Sequence, residues 1–88
     1  MDVTQIANWM QNQLEKEGCL YQEDVVDFLV KNELENFLKE NADGNLVLIP
    51  SALNAFKKLN ANSVVWVKPD LYWRFRVPED EDGREARG

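Results

Sequence analysis

Eight side chains between residues 51 and 76 have the types and the spacing to contact a nucleic acid or another macromolecule. Lysine and arginine neutralise phosphate groups, serine and asparagine hydrogen-bond to base edges, and tyrosine can contact sugar. Residues 51–77 carry five cations against the single acid Asp70, so this segment has a net charge of +4. The candidate contact residues are Ser51, Asn54, Lys57, Lys58, Lys68, Tyr72, Arg74 and Arg76.

Catalytic or metal-dependent chemistry has few candidate residues in this chain. Histidine is absent and Cys19 is the only cysteine, which removes the commonest general base and the usual zinc ligands. The acids Glu23, Asp24 and Asp27 lie near a predicted helix start, where acids usually form a solvated cap. The turn at residues 41–45 resembles the middle of a calcium loop but lacks the first and last carboxylate ligands. We therefore expect no enzymatic activity, no cofactor, no metal and no small-molecule substrate.

The charge of the whole chain opposes a role in coating nucleic acid indiscriminately. The net charge is −6 and the isoelectric point is near 4.5. The first 50 residues have a net charge of −7 and residues 78–88 have a net charge of −3. Non-specific affinity for nucleic acid needs a broad positive surface, which this composition does not supply. A local basic face within residues 51–77 remains compatible with this acidic composition.

The length of 88 residues predicts one domain with one small core. A single cysteine excludes an internal disulfide, and we expect Cys19 to be a small buried hydrophobe. No apolar run approaches the roughly 18–20 residues that a membrane span needs. The N-terminus lacks the basic and then apolar pattern of a secretion signal. The sequence therefore predicts a cytoplasmic protein without a membrane partner.

The residues that carry the basic groups must be positioned by a hairpin and by the helix before it. Residues 64–77 contain two runs of β-branched and aromatic residues around Pro69-Asp70, which is typical of a β-hairpin. With Pro69-Asp70 as the loop, Trp66 falls opposite Trp73, and both indoles are predicted to be buried core anchors rather than base-stacking platforms. The guanidinium groups are predicted to face solvent. The remaining predicted pairs are Val64 with Phe75 on the tryptophan face, and Val65 with Arg74 and Val67 with Tyr72 on the other face.

Two of the three predicted helices carry clear start or stop signals. Asp2 with Gln5 predicts a capped start for the first helix, and Gly18 predicts its end. Pro50-Ser51 opens the last helix, with Pro50 in its first turn or Ser51 as its cap, and this helix runs to about Asn60. The predicted inward face of the first helix consists of Ile6, Met10 and Leu14, with Val3 and Ala7 beside them, and Trp9 is also expected to be buried. The predicted inward face of the last helix consists of Leu53, Phe56 and Leu59. Asn60 is expected to point outward.

The middle of the chain gives weaker signals. Residues 19–21 predict one short edge strand, and a second helix then runs to about Asn32. Its inner face is predicted to hold Val26, Leu29 and Val30, with Val25 or Phe28 alongside. Residues 33–40 fit a helical turn but also a strand that pairs with residues 46–49 across Asp43-Gly44. We favour a short strand or extended arm before that turn.

These elements together predict an α+β fold, a small winged-helix-like domain with three helices and a C-terminal β-hairpin as the wing. A helix followed directly by a hairpin is the order in which such a domain presents its recognition helix and wing. The predicted domain covers residues 1–77. Residues 78–88, called here the C-terminal segment, have almost no apolar residue to anchor them and are predicted to be an acidic, disordered tail.

Five short motifs carry a resemblance to known proteins: Leu-Tyr-Gln-Glu-Asp at 20–24, Asn-Leu at 45–46, Ala-Phe-Lys-Lys-Leu at 55–59, Val-Val-Trp at 64–66 and Tyr-Trp-Arg at 72–74. In this order they resemble a group of short bacterial proteins classed only as a domain of unknown function, with a winged-helix-like fold. The resemblance extends from about Ile6 to Pro78, and the last two motifs are its most specific part. It implies a fold and a soluble bacterial origin but no activity, cofactor or catalytic residue. Similar small proteins often travel on mobile elements such as integron cassettes. Pro50 departs from the polar cap expected in relatives, so the resemblance does not fix the residue at which the last helix begins.

Two functional hypotheses follow. The first is a non-enzymatic interaction or adaptor module that binds a protein partner or a second copy of itself, since the chain is acidic and its hairpin is apolar and aromatic. The alternative is a sequence-specific DNA-binding regulator that uses residues 51–60 and the hairpin 64–77. A continuous positive face free of neutralising acids would favour DNA, and acids lying across the basic residues would favour a protein.

Overall fold

Helices and strands alternate along the chain in the computed structural model, which describes residues 1–80 and 83–86. The helices of this part are α1 (Val3–Glu17), α2 (Gln22–Lys31) and α3 (Pro50–Asn60). Its strands are β1 (Cys19–Tyr21), β2 (Leu38–Glu40), β3 (Leu46–Leu48), β4 (Val64–Val67), β5 (Tyr72–Phe75) and β6 (Glu85–Ala86). Short 3₁₀ turns at Glu35–Phe37 and Lys68–Asp70 precede β2 and β5.

The strands form two sheets. The larger has the order β1-β5-β4-β6, in which β5 pairs antiparallel with both β1 and β4, and β6 pairs parallel with β4. The smaller is the antiparallel pair β2-β3. The predicted α+β class, with three helices and a C-terminal hairpin, is therefore confirmed. Its identity as a winged helix stays a prediction.

The ends of α1 are set by the residues that the sequence singled out. The Asp2 carboxylate accepts a hydrogen bond from the Gln5 backbone N–H at 2.8 Å, and the Gln5 side chain accepts one from the Asp2 N–H at 2.9 Å. Each bond satisfies a backbone donor that the first turn leaves without an intrahelical partner. At the other end Gly18 adopts a left-handed conformation with φ of 82°, which glycine reaches without a Cβ clash.

The hairpin β4–β5 has the predicted register. Trp66 pairs with Trp73 and Val65 with Arg74, as the alternation of apolar residues requires. The connection is a 3₁₀ turn followed by Leu71 in the left-handed region, with φ of 54°. Trp73 is 4% exposed and Trp66 is half-buried, so the indoles are core residues to different degrees.

The core lies between α1, α3 and the tryptophan face of the hairpin. Ile6, Met10 and Leu14 of α1 are fully buried at the predicted helical spacing. Phe56 of α3 is fully buried and meets the Trp73 ring edge to face at a centroid distance of 5.3 Å. Such an edge-to-face pair adds to the free energy of burial.

The inner faces of α2 and α3 are each rotated from the prediction. In α2 the buried residues are Val25 and Leu29, whereas Val30 is 41% exposed, so its predicted inward position is wrong. In α3 the buried residues Ala52, Phe56 and Asn60 recur every four residues. Leu59 is 47% exposed, and its predicted inward position is also wrong.

Asn60 is 3% exposed, which corrects its predicted outward position. Its Nδ2 donates to Gln11 Oε1 of α1 at 2.7 Å, and this bond joins the two helices. Its Oδ1 has no hydrogen-bonding partner among the described residues. Trp9 of α1 is half-buried and stacks on Phe28 at 3.9 Å, so it widens the buried face as expected.

The segment before α3 contains both structures that the sequence left open. The helical turn Glu35–Phe37 leads directly into β2, whose Leu38 pairs with Leu48 of β3. The turn between them is closed by Asn41, whose Oδ1 accepts from the backbone N–H groups of Asp43 and Asn45. The helix α3 then begins with Pro50 in its first turn and has no side-chain cap, so Ser51 does not cap it.

Part of the C-terminal segment contacts the hairpin. Glu85–Ala86 pair with Trp66 and Val67 as β6, and the Trp66 N–H donates to the Arg84 carbonyl. Val65 and Val67, on the face opposite the core, are fully buried although they lie outside the main core cluster. The disordered tail predicted from the sequence is therefore not what residues 83–86 form. Residues 81–82 and 87–88 lie outside the described residues.

Candidate functional site

The predicted contact residues divide into two groups on different surfaces. Ser51, Asn54, Lys57 and Lys58 are all exposed on α3. Lys57 borders a groove on the core side of the hairpin, Ser51 and Lys58 border a second groove between α3 and α1, and Asn54 lines both. The hairpin residues Tyr72 and Arg74 belong to the opposite face of the ribbon. Their role as nucleic-acid or partner contacts stays a prediction.

The two arginines of the hairpin, Arg74 and Arg76, donate hydrogen bonds to residues of the C-terminal segment. Arg74 Nη1 and Nη2 donate to the two carboxylate oxygens of Asp80 at 2.9 and 2.8 Å. The Arg74 side chain is only 21% exposed, so the predicted solvent-facing orientation is wrong for this residue. Arg76 donates to the Gly83 carbonyl. Lys68 is exposed near the tip, and Tyr72 stacks on Tyr21 at 5.0 Å.

The Arg74–Asp80 pair is a strong local electrostatic feature. The hydrogen bonds from the Arg74 guanidinium, followed by the one from the Val77 N–H, lower the pKa of Asp80 from 3.8 to about 2. The same hydrogen bonding to Asp80 raises the pKa of Arg74. Bidentate geometry of this kind is the strongest form of a carboxylate–arginine contact. One basic group of the predicted positive face is thereby neutralised.

The groove between α3 and the core side of the hairpin, called here the α3–hairpin groove, has a volume of about 380 Å³. Its apolar wall is formed by Leu53, Phe56, Trp66 and Trp73, and the two indoles lie 4.6 Å apart. Such an apolar cleft with a few polar groups at its edge is the usual form of a binding site. Its charged residues are Lys57, Arg84 and Glu85.

Arg84 lines the α3–hairpin groove and is a candidate site residue that sequence analysis missed. Its Nη1 donates to the carbonyls of Asn60 and Val64, each at 3.0 Å, and its guanidinium carbon lies 5.7 Å from the centroid of the Phe56 ring. Burial, and secondarily the charge of Arg76, lowers the pKa of Arg84. The sequence offered no signal for this position, because one arginine in an acidic stretch has no periodicity to place it.

The acidic residues of α2 lie on its exposed surface. Asp27 pairs with Lys31 at 2.9 Å on the exposed face, and Glu23 and Asp24 are also exposed. Within residues 1–80 and 83–86, no group of three or more potential metal-ligating side chains comes together. Cys19 is half-buried with a free thiol. No helix in this part of the chain combines the length and the apolar character needed to cross a membrane.

Comparison with known proteins identifies a family and nothing finer. No curated protein matches the chain, and no solved structure matches it. The model of one family, described as "Family of unknown function (DUF6953)", matches residues 2–75, which include all three helices and the hairpin β4–β5 but not β6. Bacterial origin and association with integron cassettes stay predictions. Since the match covers most of its length, the protein belongs to this family of unknown function.

Proposed function

We propose that this protein is a non-enzymatic interaction module that binds a segment of a partner protein in the α3–hairpin groove. The observation that carries the proposal is the half-buried indole of Trp66 on the apolar wall of that groove. Tryptophans that combine a rigid apolar surface with partial exposure are frequent anchors of protein interfaces. Asn54 and Lys57, predicted as contact residues, border the same groove.

A protein partner accounts for the charges better than DNA does. The chain has a net charge of −6, and Asp80 neutralises Arg74 on the face that would serve as a wing. Lys57 borders a groove with an apolar wall, whereas Arg74 lies on the other face of the ribbon. A phosphate backbone would need those cations on one accessible surface. The second partner under this proposal is another copy of the chain.

The test compares three proteins, which are immobilised for pull-down and free in solution for sedimentation. The wild-type domain is expected to recover a partner that Trp66→Ala does not. Leu59→Ala is the control, since Leu59 is an apolar residue of α3 that is 47% exposed and does not line the groove. If the partner is a second copy, sedimentation shows a wild-type dimer that Trp66→Ala dissociates. Monomeric wild type, together with no recovered partner, would contradict the proposal.

The DNA alternative has its own measurement. It predicts that duplex DNA binds at low salt with an affinity that falls steeply as salt rises, with a slope of roughly −3 to −4.5 on logarithmic axes for three to five phosphate contacts. It also predicts that Lys57→Glu combined with Arg74→Glu abolishes binding. We expect no anisotropy change on titrating the wild-type domain into labelled duplex. A salt-sensitive change that the double variant removes would favour DNA instead.

A further inference from the structure

We infer that the α3–hairpin groove recognises the free C-terminal carboxylate of a partner chain whose last residue is apolar. The inference rests on the proposed function and names the chemistry of the segment that is bound. It depends on three features of the groove: its charge, the hydrogen-bonding state of Arg84, and its size.

The charge of the groove is opposite to that of the protein. The chain as a whole has a net charge of −6, yet the groove is bordered by the cations Lys57 and Arg84 against the single acid Glu85. A local positive site on an acidic protein attracts one negative group and repels extended polyanions. The groove is therefore complementary to a single carboxylate, and the net negative charge of the chain disfavours binding of an extended polyanion such as nucleic acid.

The guanidinium of Arg84 has unused donors. An arginine carries five N–H donors, and among the described residues only the two on Nη1 have acceptors, the carbonyls of Asn60 and Val64. Neither acceptor carries a formal charge, and Arg84 forms no ion pair within the described part of the chain. A half-buried cation without a counter-ion is unfavourable. Its planar fork of remaining donors fits the two oxygens of a carboxylate.

The size of the groove limits what accompanies the carboxylate. Its volume of about 380 Å³ is near the lower end of the 300–1,000 Å³ that is typical of ligand sites. In the apolar wall, the half-buried Leu53 and Trp66 offer accessible surface to one large apolar side chain next to the cationic edge, whereas Phe56 and Trp73 are buried. A carboxylate and an apolar side chain on the same carbon atom are what the last residue of a polypeptide presents.

The experiment uses the full chain and four N-acetylated tripeptides that end in phenylalanine, leucine, isoleucine or valine, each as a free acid and as a C-terminal amide. Binding is followed by the indole N–H resonances of the tryptophans. We expect at least one free acid to bind, at least tenfold more tightly than its amide. We expect Lys57→Gln and Arg84→Gln each to reduce acid binding towards the level of the amide.

Lys58→Gln is the matched control, because Lys58 is an exposed lysine of the same helix that does not line the groove. It should leave the preference for the acid unchanged. Arg84→Lys keeps the charge but not the planar fork, and should bind more weakly than wild type. If Arg84→Gln loses the resonance pattern of the folded hairpin, Lys57→Gln still tests the carboxylate site.

Several results would overturn the inference and still separate it from the proposed function. Equal affinities for acid and amide would reject carboxylate recognition but leave an apolar binding groove. Absence of binding by all four acids, together with a partner recovered through Trp66, would reject the C-terminus and retain the interaction module. Equal affinity for 3-phenylpropanoate and the phenylalanine peptide would assign the site to a small carboxylic acid.

Discussion

Asp80 and Arg84 lie four residues apart in the C-terminal segment and act on opposite faces of the hairpin. Asp80 neutralises Arg74 on one face, and Arg84 places a cation beside the apolar groove on the other. Neither residue belongs to a periodic pattern. Their roles follow from where the segment folds back, so the charge of each face depends on residues that the sequence assigned to a tail.

The Arg74–Asp80 pair predicts a specific dependence of stability on pH. Because the pKa of Asp80 is lowered to about 2 from 3.8, the pair contributes stability above pH 3.8 and loses it as the pH falls towards 2. Asp80→Asn should therefore reduce the free energy of unfolding at pH 7. The difference from wild type should shrink between pH 4 and pH 2, as measured by urea unfolding followed by tryptophan fluorescence.

The control for that prediction is Asp27→Asn on α2. The Asp27–Lys31 pair has the same short distance, 2.9 Å, but its side chains are 58% and 73% exposed. Exposed pairs contribute little because solvent screens them. Asp27→Asn should leave the urea unfolding curve nearly unchanged at pH 7 and at the acidic pH values. An Asp80→Asn effect that is equally small, or that is constant with pH, would contradict the role given to the Arg74–Asp80 pair.

At the scale of elements, α3 shows how a helix with several apolar residues is oriented by its neighbours. Phe56→Ala should lower the free energy of unfolding by about 3–5 kcal/mol, because it empties a fully buried site against Trp73. Leu59→Ala on the same helix should change it by less than about 0.5 kcal/mol, because Leu59 is largely exposed. Urea unfolding compares the two variants. Equal losses of unfolding free energy in the two variants would instead support the prediction that Leu59 points inward.

The end of α1 gives a second prediction at this scale. Gly18→Ala should lower the free energy of unfolding by about 1–2 kcal/mol, because a residue with a Cβ is strained in the left-handed region. No atom beyond the neighbouring residues lies within 4 Å of the added Cβ, so no clash with the rest of the fold contributes to the loss. Gly18→Asn should lose less, since asparagine tolerates this region better. Thermal and urea unfolding of the three proteins would reveal a different order if the cap were unimportant.

At the scale of the whole molecule, the C-terminal segment adds contacts to the predicted domain of residues 1–77. A chain ending at Val77 should be less stable by about 1.5–3 kcal/mol, the value of a hydrogen bond from a charged group, because it loses the bonds that Arg84 donates to the carbonyls of Asn60 and Val64. Urea unfolding of both lengths measures the difference. Equal stability would instead support the predicted boundary after Val77, with an independent domain of residues 1–77.

The sequence by itself determined the elements whose signals are local. Asp2 with Gln5 predicted the start of α1, Gly18 predicted its end, and the alternation around Pro69-Asp70 predicted the hairpin register. Each depends on the chain's own backbone geometry and on side-chain alternation, which need no knowledge of distant residues. The segment before β2 was partly predictable for the same reason, since its Asp-Gly turn is local.

Only the tertiary structure decided which faces are covered. Val30 and Leu59 are exposed because α2 and α3 turn other residues inward, and a helix with more apolar residues than its contact can bury has several allowed rotations. Likewise the surroundings of the two arginines depend on the C-terminal segment folding back: Arg74 contacts Asp80, and Arg84 contacts the carbonyl of Asn60. Such contacts depend on three-dimensional position, so the positive face predicted from composition was divided between two surfaces.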